Sequence, residues 1–511
     1  MIKDLNQRER ESTPTILRVI GLLWGAMLAG VILLILLAPT IQYAGKQVFG
    51  QPIFLGLSGI ALEILLFLLV SKVQVSERIV VAFSGLFFVA QIFLVSTYFF
   101  KTGWDVRTII EAAEGLAKGD TSYEMIPPYL SQYPNNILLV WLFSKVFKFG
   151  IWIGLKEGYT YFLVLVLQCA ISALTGLIVF RSIILLTDNK RVALITYALY
   201  LVLVGLSPWV SIPYSDSVGL LLPALLIWIY LQTPTKRKSQ YLKWGAIGFL
   251  SYLGYMLKPT VLIVLIAMLM VELTSSTTRK KIKQFGRKLV IITAGIMIAV
   301  LITSIIKNDI GYEIDPERRF GIAHYLAMGL NEDTMGVWSE DDVEYSASFE
   351  TNKDRDKADL ELAKARAQEM GIRGVVTQYL KKTLTNLNDG TFAWTLEGNF
   401  FWIVYDRNDR LSETVRSFYY ADGANRKIFM NVEQSIWLSV LLFAGTAYWI
   451  QPRKDISIYM LTLIGFVIYG MLFEARARYV YIFAPLFLVL AGCGADHIVQ
   501  RIAPGALKQK T

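Results

Sequence analysis

Long apolar runs alternate with short polar connections along this chain, and the runs have the length of membrane crossings. About 20 predominantly apolar residues form a helix that traverses a bilayer. Runs near that length fall at Leu17–Leu37, Pro52–Val70, Ile79–Phe100, Tyr159–Leu185, Val192–Val210 and Ser217–Leu231. Others follow at Trp244–Leu257, Thr260–Leu273, Leu289–Ile306, Gln434–Ile450, Ile456–Phe473 and Tyr479–Val499. The expected fold is an all-α polytopic membrane protein with about twelve transmembrane helices. Pro134–Gly150 is also apolar, but it is short and broken by Lys145 and Lys148. It reads as a helix lying at the outer interface. A crossing there would invert everything downstream.

Two stretches interrupt the pattern. Gly103–Asn136 opens with Trp104 and Asp105, continues through an amphipathic segment and closes on aromatic and proline-rich sequence. Lys307–Glu433 reads as a mainly helical extracytoplasmic insert. Asp354–Met370 is charged on all sides, with opposite charges one turn apart. Ile372, Val375, Val376, Tyr379, Leu380 and Leu384 form one stripe, expected to pack on the insert or the membrane. The organisation is then a membrane region over 1–306 with an outer loop at 101–158, the insert over 307–433, and a second membrane region over 434–511. There is no internal repeat, P-loop or dinucleotide fingerprint.

Composition agrees. Of 511 residues, 55% are hydrophobic and 18% charged, far from a soluble domain. The net charge of +10 fits cytoplasmic loops that collect Lys and Arg. Nucleic-acid binding would need a basic stripe interleaved with aromatics, and none lies outside the apolar runs. With the N-terminus inside, Lys3, Arg8, Lys72, Arg78, Lys190, Arg191, Lys236–Lys238, Arg279–Lys283, Arg453, Lys454 and Arg501 all fall on the inner side. The outer connections carry few cations. Both termini are thus expected in the cytoplasm of a multi-pass cell-membrane protein. The first apolar run exceeds a signal-peptide core and reads as a retained span. Cys169 and Cys493 lie in apolar runs as packing residues and build no disulfide framework or zinc site.

On this topology several polar groups meet at the outer face. Asp105 ends the third run. Tyr214, Ser215 and Asp216 (PYSDS) turn between the fifth and sixth. Lys258 (LKPT) turns between the seventh and eighth, and Glu474, Arg476 and Arg478 (FEARARY) between the eleventh and twelfth. Ionisable residues at membrane depth are costly and usually serve a purpose. Each also has a plainer explanation. Asp105 is then a helix-end charge, Lys258 snorkels to headgroups, Arg476 and Arg478 anchor to anionic lipid, Asp216 caps a helix, and His324 is a surface histidine. Together, a carboxylate and three cations suit a substrate carrying a phosphate and a hydroxyl to be activated. Arg and Lys offset charge on a departing phosphate, and a partly desolvated carboxylate takes the hydroxyl proton. Direct displacement inverts the anomeric centre without a second carboxylate nucleophile.

These motifs, in this order and with YPNN (Tyr133–Asn136), resemble the GT-C class of integral-membrane glycosyltransferases, which includes protein O-mannosyltransferases and aminoarabinose transferases. The likeness runs from about Ile79 to Val499. It implies a polyprenyl-phosphate sugar donor, inverting transfer and an active site on the outer face. By position, Asp105 would be the catalytic base and Lys258, Arg476 and Arg478 donor-phosphate contacts. Tyr133, Asp216, Glu474 and His324 complete the expected substrate-binding set. The acceptor is expected to be an envelope glycan or polymer, and membrane lipid is a partner. No cofactor is required by the residues themselves, and a divalent cation is left open. The insert lies before the last three runs and not after the final one, so the acceptor's identity does not carry over. A transporter or flippase of lipid-linked glycans is the main alternative, and it predicts broken helices and a repeat between halves.

Overall fold

The computed structural model describes residues 15–502, apart from residues 157, 275–277, 399, 406 and 451–452. It is almost entirely helical. Among the described residues, seven helices are long and apolar enough to cross a membrane. They are Thr15–Thr40, Pro52–Val70, Glu77–Thr97, Tyr159–Thr187, Arg279–Asp309, Arg426–Trp449 and Lys454–Leu472. Ser215–Leu231 and Pro259–Thr274 are shorter apolar helices. Trp244–Leu257 lies within the continuous helix Arg237–Leu257, and the other two expected runs are helical but interrupted. Lys190–Tyr200 passes into a π-turn at Leu201–Gly205 and a short turn at Pro208–Ser211. The last run divides into Arg478–Tyr481 and Ala484–Ile502. Pro208 and Pro485 sit at these breaks, where a missing N–H and a steric ring interrupt the helical ladder.

Small residues let the helices approach closely. A Cβ on Gly248 would lie 2.1 Å from the Ile292 carbonyl oxygen, and one on Gly295 2.1 Å from that of Gly245. The Arg237–Leu257 and Arg279–Asp309 helices therefore pack backbone to backbone, as membrane helices do without a hydrophobic driving force between them. Trp24, Trp209, Trp394 and Trp437 are fully buried at the centre of the protein.

The segment between the Glu77–Thr97 and Tyr159–Thr187 helices, expected as the first outer loop, holds three helices, Trp104–Lys118, Ile126–Gln132 and Ile137–Trp152. In the insert, Asn352–Leu387 forms two helical arms that meet at Gly371, whose φ of 60° suits only glycine without strain. Leu384 is buried, whereas Ile372, Val376 and Leu380 stay exposed. The apolar stripe thus packs on the protein only at its C-terminal end. The insert is joined to the membrane region: Leu384, Leu387, Phe392 and Trp394 belong to the same hydrophobic core as the spanning helices. One feature departs from the all-α expectation. Strand β1 (Phe100–Thr102) pairs antiparallel with β2 (Phe401–Val404), tying the first outer loop to the insert.

Candidate functional site

The β1–β2 pair sets the position of Asp105. The Gly103 N–H donates to the Phe400 carbonyl at 2.8 Å, which fixes the chain just before Trp104. Trp104 then takes a left-handed φ of 42°, costly for a bulky side chain. Asp105 follows in the first turn of the Trp104–Lys118 helix. Asp105 was expected to end the third apolar run. Instead β1 separates it from that helix, and it stands at the positive end of the next helix dipole. Its carboxylate accepts a hydrogen bond from the Tyr214 hydroxyl at 3.0 Å. Burial pushes its pKa above the usual carboxylate range, against the lowering effect of Tyr214 and of Arg478. Among the described residues, no cation is in ion-pair contact with Asp105.

A closed set of ion pairs lies alongside. Asp216, 1% exposed, pairs with Lys258 at 2.5 Å and with Arg478 at 3.4 Å. Its helix begins at Ser215 and Asp216 makes no cap bond, so the capping explanation does not hold. Lys258 is 8% exposed and its ammonium lies 4.0 Å from the Tyr479 ring centre, so it does not snorkel. Burial lowers its pKa, and Asp216 opposes that. Arg478 is equally buried. Its guanidinium lies 4.5 Å from the Trp104 ring and 5.2 Å from that of Tyr214. The two rings meet edge to face at 5.0 Å. Asp105 and Arg478 therefore share both aromatic neighbours. Arg476 pairs with Glu474 at 3.0 Å, and Tyr479 donates to Glu474 at 2.8 Å. Burial raises the Glu474 pKa, but Arg476 and Tyr479 outweigh it and hold the group low. Both arginines are paired with carboxylates inside the protein and do not extend to its surface as free anchors.

The sequence reading missed Glu397. It pairs with Arg476 at 3.0 Å and with Arg478 at 3.6 Å. The loop that delivers it is anchored by Asp389, whose carboxylate accepts from the Thr391 N–H (2.8 Å), the Thr391 hydroxyl (2.6 Å) and the Ala393 N–H (3.0 Å). Those bonds hold Phe392 and Ala393 at φ of 54° and 61°. Burial raises the Asp389 pKa to about 6 despite the Thr391 bonds. The Trp209 indole donates to the Phe392 carbonyl at 2.9 Å and fastens the loop to the helical core. The pairing of Glu397 with the arginines is a long-range contact that no local pattern encodes.

The other two expected contacts fall outside this set. Tyr133 packs against Tyr129 and Phe320 with ring centres 5.2 and 5.4 Å away. Burial, and then the charges of Asp105 and Glu474, raise its pKa, so it borders the site. His324 is not among the clustered groups. Its Nδ1 lies 2.7 Å from the Ser346 hydroxyl, which donates to Asp359, and its ring stacks on Phe320. Burial lowers its pKa to about 4. It is neither the surface histidine nor the substrate contact expected; it is a buried structural residue of the insert.

Buried polar atoms without hydrogen-bond partners gather here. They include Trp104 Nε1, Asp216 Oδ2, Thr260 Oγ1, Glu397 Oε2 and Arg478 Nε. Asp216 Oδ2 and Glu397 Oε2 face Arg478 Nε as ion pairs, which leaves Trp104 Nε1 and Thr260 Oγ1 as the polar atoms of this group that a ligand could satisfy. Among the described residues, no three His, Cys, Asp or Glu side chains are grouped so as to hold a metal ion. The carboxylates of the cluster face cations and not one another.

Two solved structures similar to this chain are of an archaeal oligosaccharyltransferase from Archaeoglobus fulgidus. The apo form is 14% identical with a TM-score of 0.42, covering 84% of this chain and 51% of that one. The AglB complex with an inhibitory peptide and a dolichol-phosphate is 12% identical with a TM-score of 0.39, covering 85% and 52%. The chain thus spans about half the length of these proteins. No curated protein matches it. A family model described as "Conserved hypothetical integral membrane protein" matches residues 52–499, and the chain belongs to that family.

Proposed function

We propose that this protein is a membrane glycosyltransferase that moves a sugar from a polyprenyl-phosphate donor to a hydroxyl of an envelope glycan or polymer. The observation that carries this reading is the juxtaposition just described: a half-buried carboxylate without an ion-pair partner, beside a buried cluster of three cations. In the proposed reaction Asp105 takes the acceptor hydroxyl proton. The acceptor oxygen bonds to the anomeric carbon as the carbon–oxygen bond to the donor phosphate breaks. The electron pair leaves with the phosphate, whose developing charge Arg478, Arg476 and Lys258 stabilise. Attack opposite the leaving group inverts the anomeric centre. The elevated Asp105 pKa makes it a stronger base than an exposed aspartate.

The charge balance adds a condition. Lys258, Arg476 and Arg478 already face Asp216, Glu397 and Glu474. A phosphate entering this set must displace a carboxylate. Glu397 sits in the short π-turn Trp394–Gly398, and its contact with Arg478 is the longest of the set; we assign it that role. The proposed topology keeps about twelve crossings, with both termini cytoplasmic and the cluster on the extracytoplasmic face, as the loop charges require. The test is mass analysis of envelope glycans from cells with and without the protein. Loss of a sugar increment in its absence is expected. Unchanged glycans, with polyprenyl-phosphate sugar undiminished, would refute the reading.

A further inference from the structure

At the far end of the bundle a second polar cluster forms around Glu272. The Leu262–Thr274 helix starts just after Lys258 and carries Glu272 near its other end. At 1.5 Å per residue this places the two clusters roughly 20 Å apart. Glu272 is 7% exposed and accepts from the Tyr230 hydroxyl at 2.6 Å and from the Lys288 ammonium at 2.7 Å. Lys454 lies 3.9 Å from the same oxygen as Lys288. A third ammonium, Lys243, donates to the Tyr230 and Gln232 carbonyls and so closes the end of the preceding helix. The Trp244 ring holds two of these cations, Lys288 at 4.7 Å and Lys243 at 5.2 Å. The other nearby acid, Asp455, is engaged by Arg453 at 2.7 Å.

Three ammonium groups here face one carboxylate, so the cluster keeps a net positive charge. Two of them reach the surface: the side chains of Lys288 and Lys454 are 30% and 45% exposed. The two helices that carry Glu272 and Lys288 also expose apolar side chains, Met270, Leu273, Leu289 and Val290. Cations together with exposed apolar side chains, with a tryptophan between the cations, match the two ends of one amphiphile.

We propose that this cluster is a binding site for the phosphate-bearing headgroup of an anionic phospholipid. The phosphate sits over Lys288 and Lys454, and the acyl chains lie along Met270, Leu273 and Val290. A soluble phosphate would satisfy the same cations, and competition with inorganic phosphate distinguishes the two. The inference is independent of the glycosyltransferase reading, because none of these residues belongs to the Arg478 cluster.

The full-length protein, re-lipidated with phosphatidylglycerol or phosphatidylcholine and analysed by native mass spectrometry, tests this. The main variant is Lys288→Gln with Lys454→Gln and Glu272→Gln, so that no carboxylate is left buried alone. Lys454→Gln by itself, at the most exposed position, guards against misfolding. Arg501→Gln, an exposed cation on the final helix, controls for general charge. The wild type should retain phosphatidylglycerol selectively, and the triple variant, with a net loss of one positive charge, about 5-fold less tightly. Lys454→Gln should fall by a similar factor, and Arg501→Gln should match the wild type. Equal retention by the triple variant, or an equal loss with Arg501→Gln, would overturn the proposal. So would displacement of the lipid by millimolar inorganic phosphate, which would show a site for a free anion.

Discussion

Replacing Glu397 with Gln should tighten the binding of polyprenyl phosphate. Glu397 holds the Arg476 guanidinium at 3.0 Å and that of Arg478 at 3.6 Å. At an effective dielectric constant of 20, each contact has a gross attraction of roughly 5 kcal/mol. Most of that is offset by the cost of keeping the charges away from water. Gln preserves the shape and leaves a carbonyl for Arg476, while Arg476 keeps Glu474 and Arg478 keeps Asp216. Three cations then face two carboxylates, so stability should fall by up to about 3–5 kcal/mol. Phosphate binding should gain, because the phosphate no longer competes with a carboxylate. A charge-assisted hydrogen bond is worth about 1.5–3 kcal/mol, which corresponds to an affinity roughly 10- to 150-fold higher. Calorimetric titration of the purified protein with polyprenyl phosphate measures this directly, with Glu397→Asp expected to behave as the wild type. Unchanged or weaker binding by a stably folded Glu397→Gln protein would refute the displacement argument. Failure of both proteins to bind would instead refute the donor-phosphate assignment itself.

Three further outcomes follow from the same structure. Sugar transfer should fall as pH drops through the Asp105 pKa, which burial places above the normal aspartate range; Tyr214→Phe removes the bond that favours the carboxylate and should move the acidic limb of the rate profile to higher pH. His324 titrates near 4 when folded and near 6.5 when unfolded, so the unfolded chain binds more protons between those values. Wild-type stability should then fall by about 3 kcal/mol from pH 6.5 to pH 4, and denaturant titrations of His324→Asn should lack that loss. For the topology, a single cysteine at Asp354 should react with a membrane-impermeant maleimide on intact cells and one at Lys281 should not; the reverse pattern would invert the orientation.

What was legible in the sequence was what is local. Apolar run length located the seven helices long and apolar enough to cross a membrane, because a crossing must satisfy its own backbone and so declares itself in consecutive residues. Runs interrupted by Pro208 or Pro485 were legible as apolar but not as broken. Asp216, Lys258, Glu474, Arg476 and Arg478 stood out because charge beside an apolar run is costly, and the structure brings these five together. Asp105 stood out for the same reason, although its helix was misassigned. The β1–β2 pair escaped notice because three or four aromatic-rich residues at a helix end carry no periodic signal. Glu397 escaped with it, since its partners lie far along the chain. His324 misled for the opposite reason: a lone histidine in an outer loop suggests chemistry, yet its burial against Phe320 and its contact with Ser346 come from packing within the insert.

The most direct test of the central claim separates binding from transfer in Asp105→Asn. The amide keeps an acceptor for the Tyr214 hydroxyl but cannot take a proton from an acceptor sugar. The variant, introduced into cells that lack the native protein, should bind polyprenyl phosphate as the wild type does and yet fail to restore the missing glycan increment. Restoration of that increment by Asp105→Asn would contradict the account.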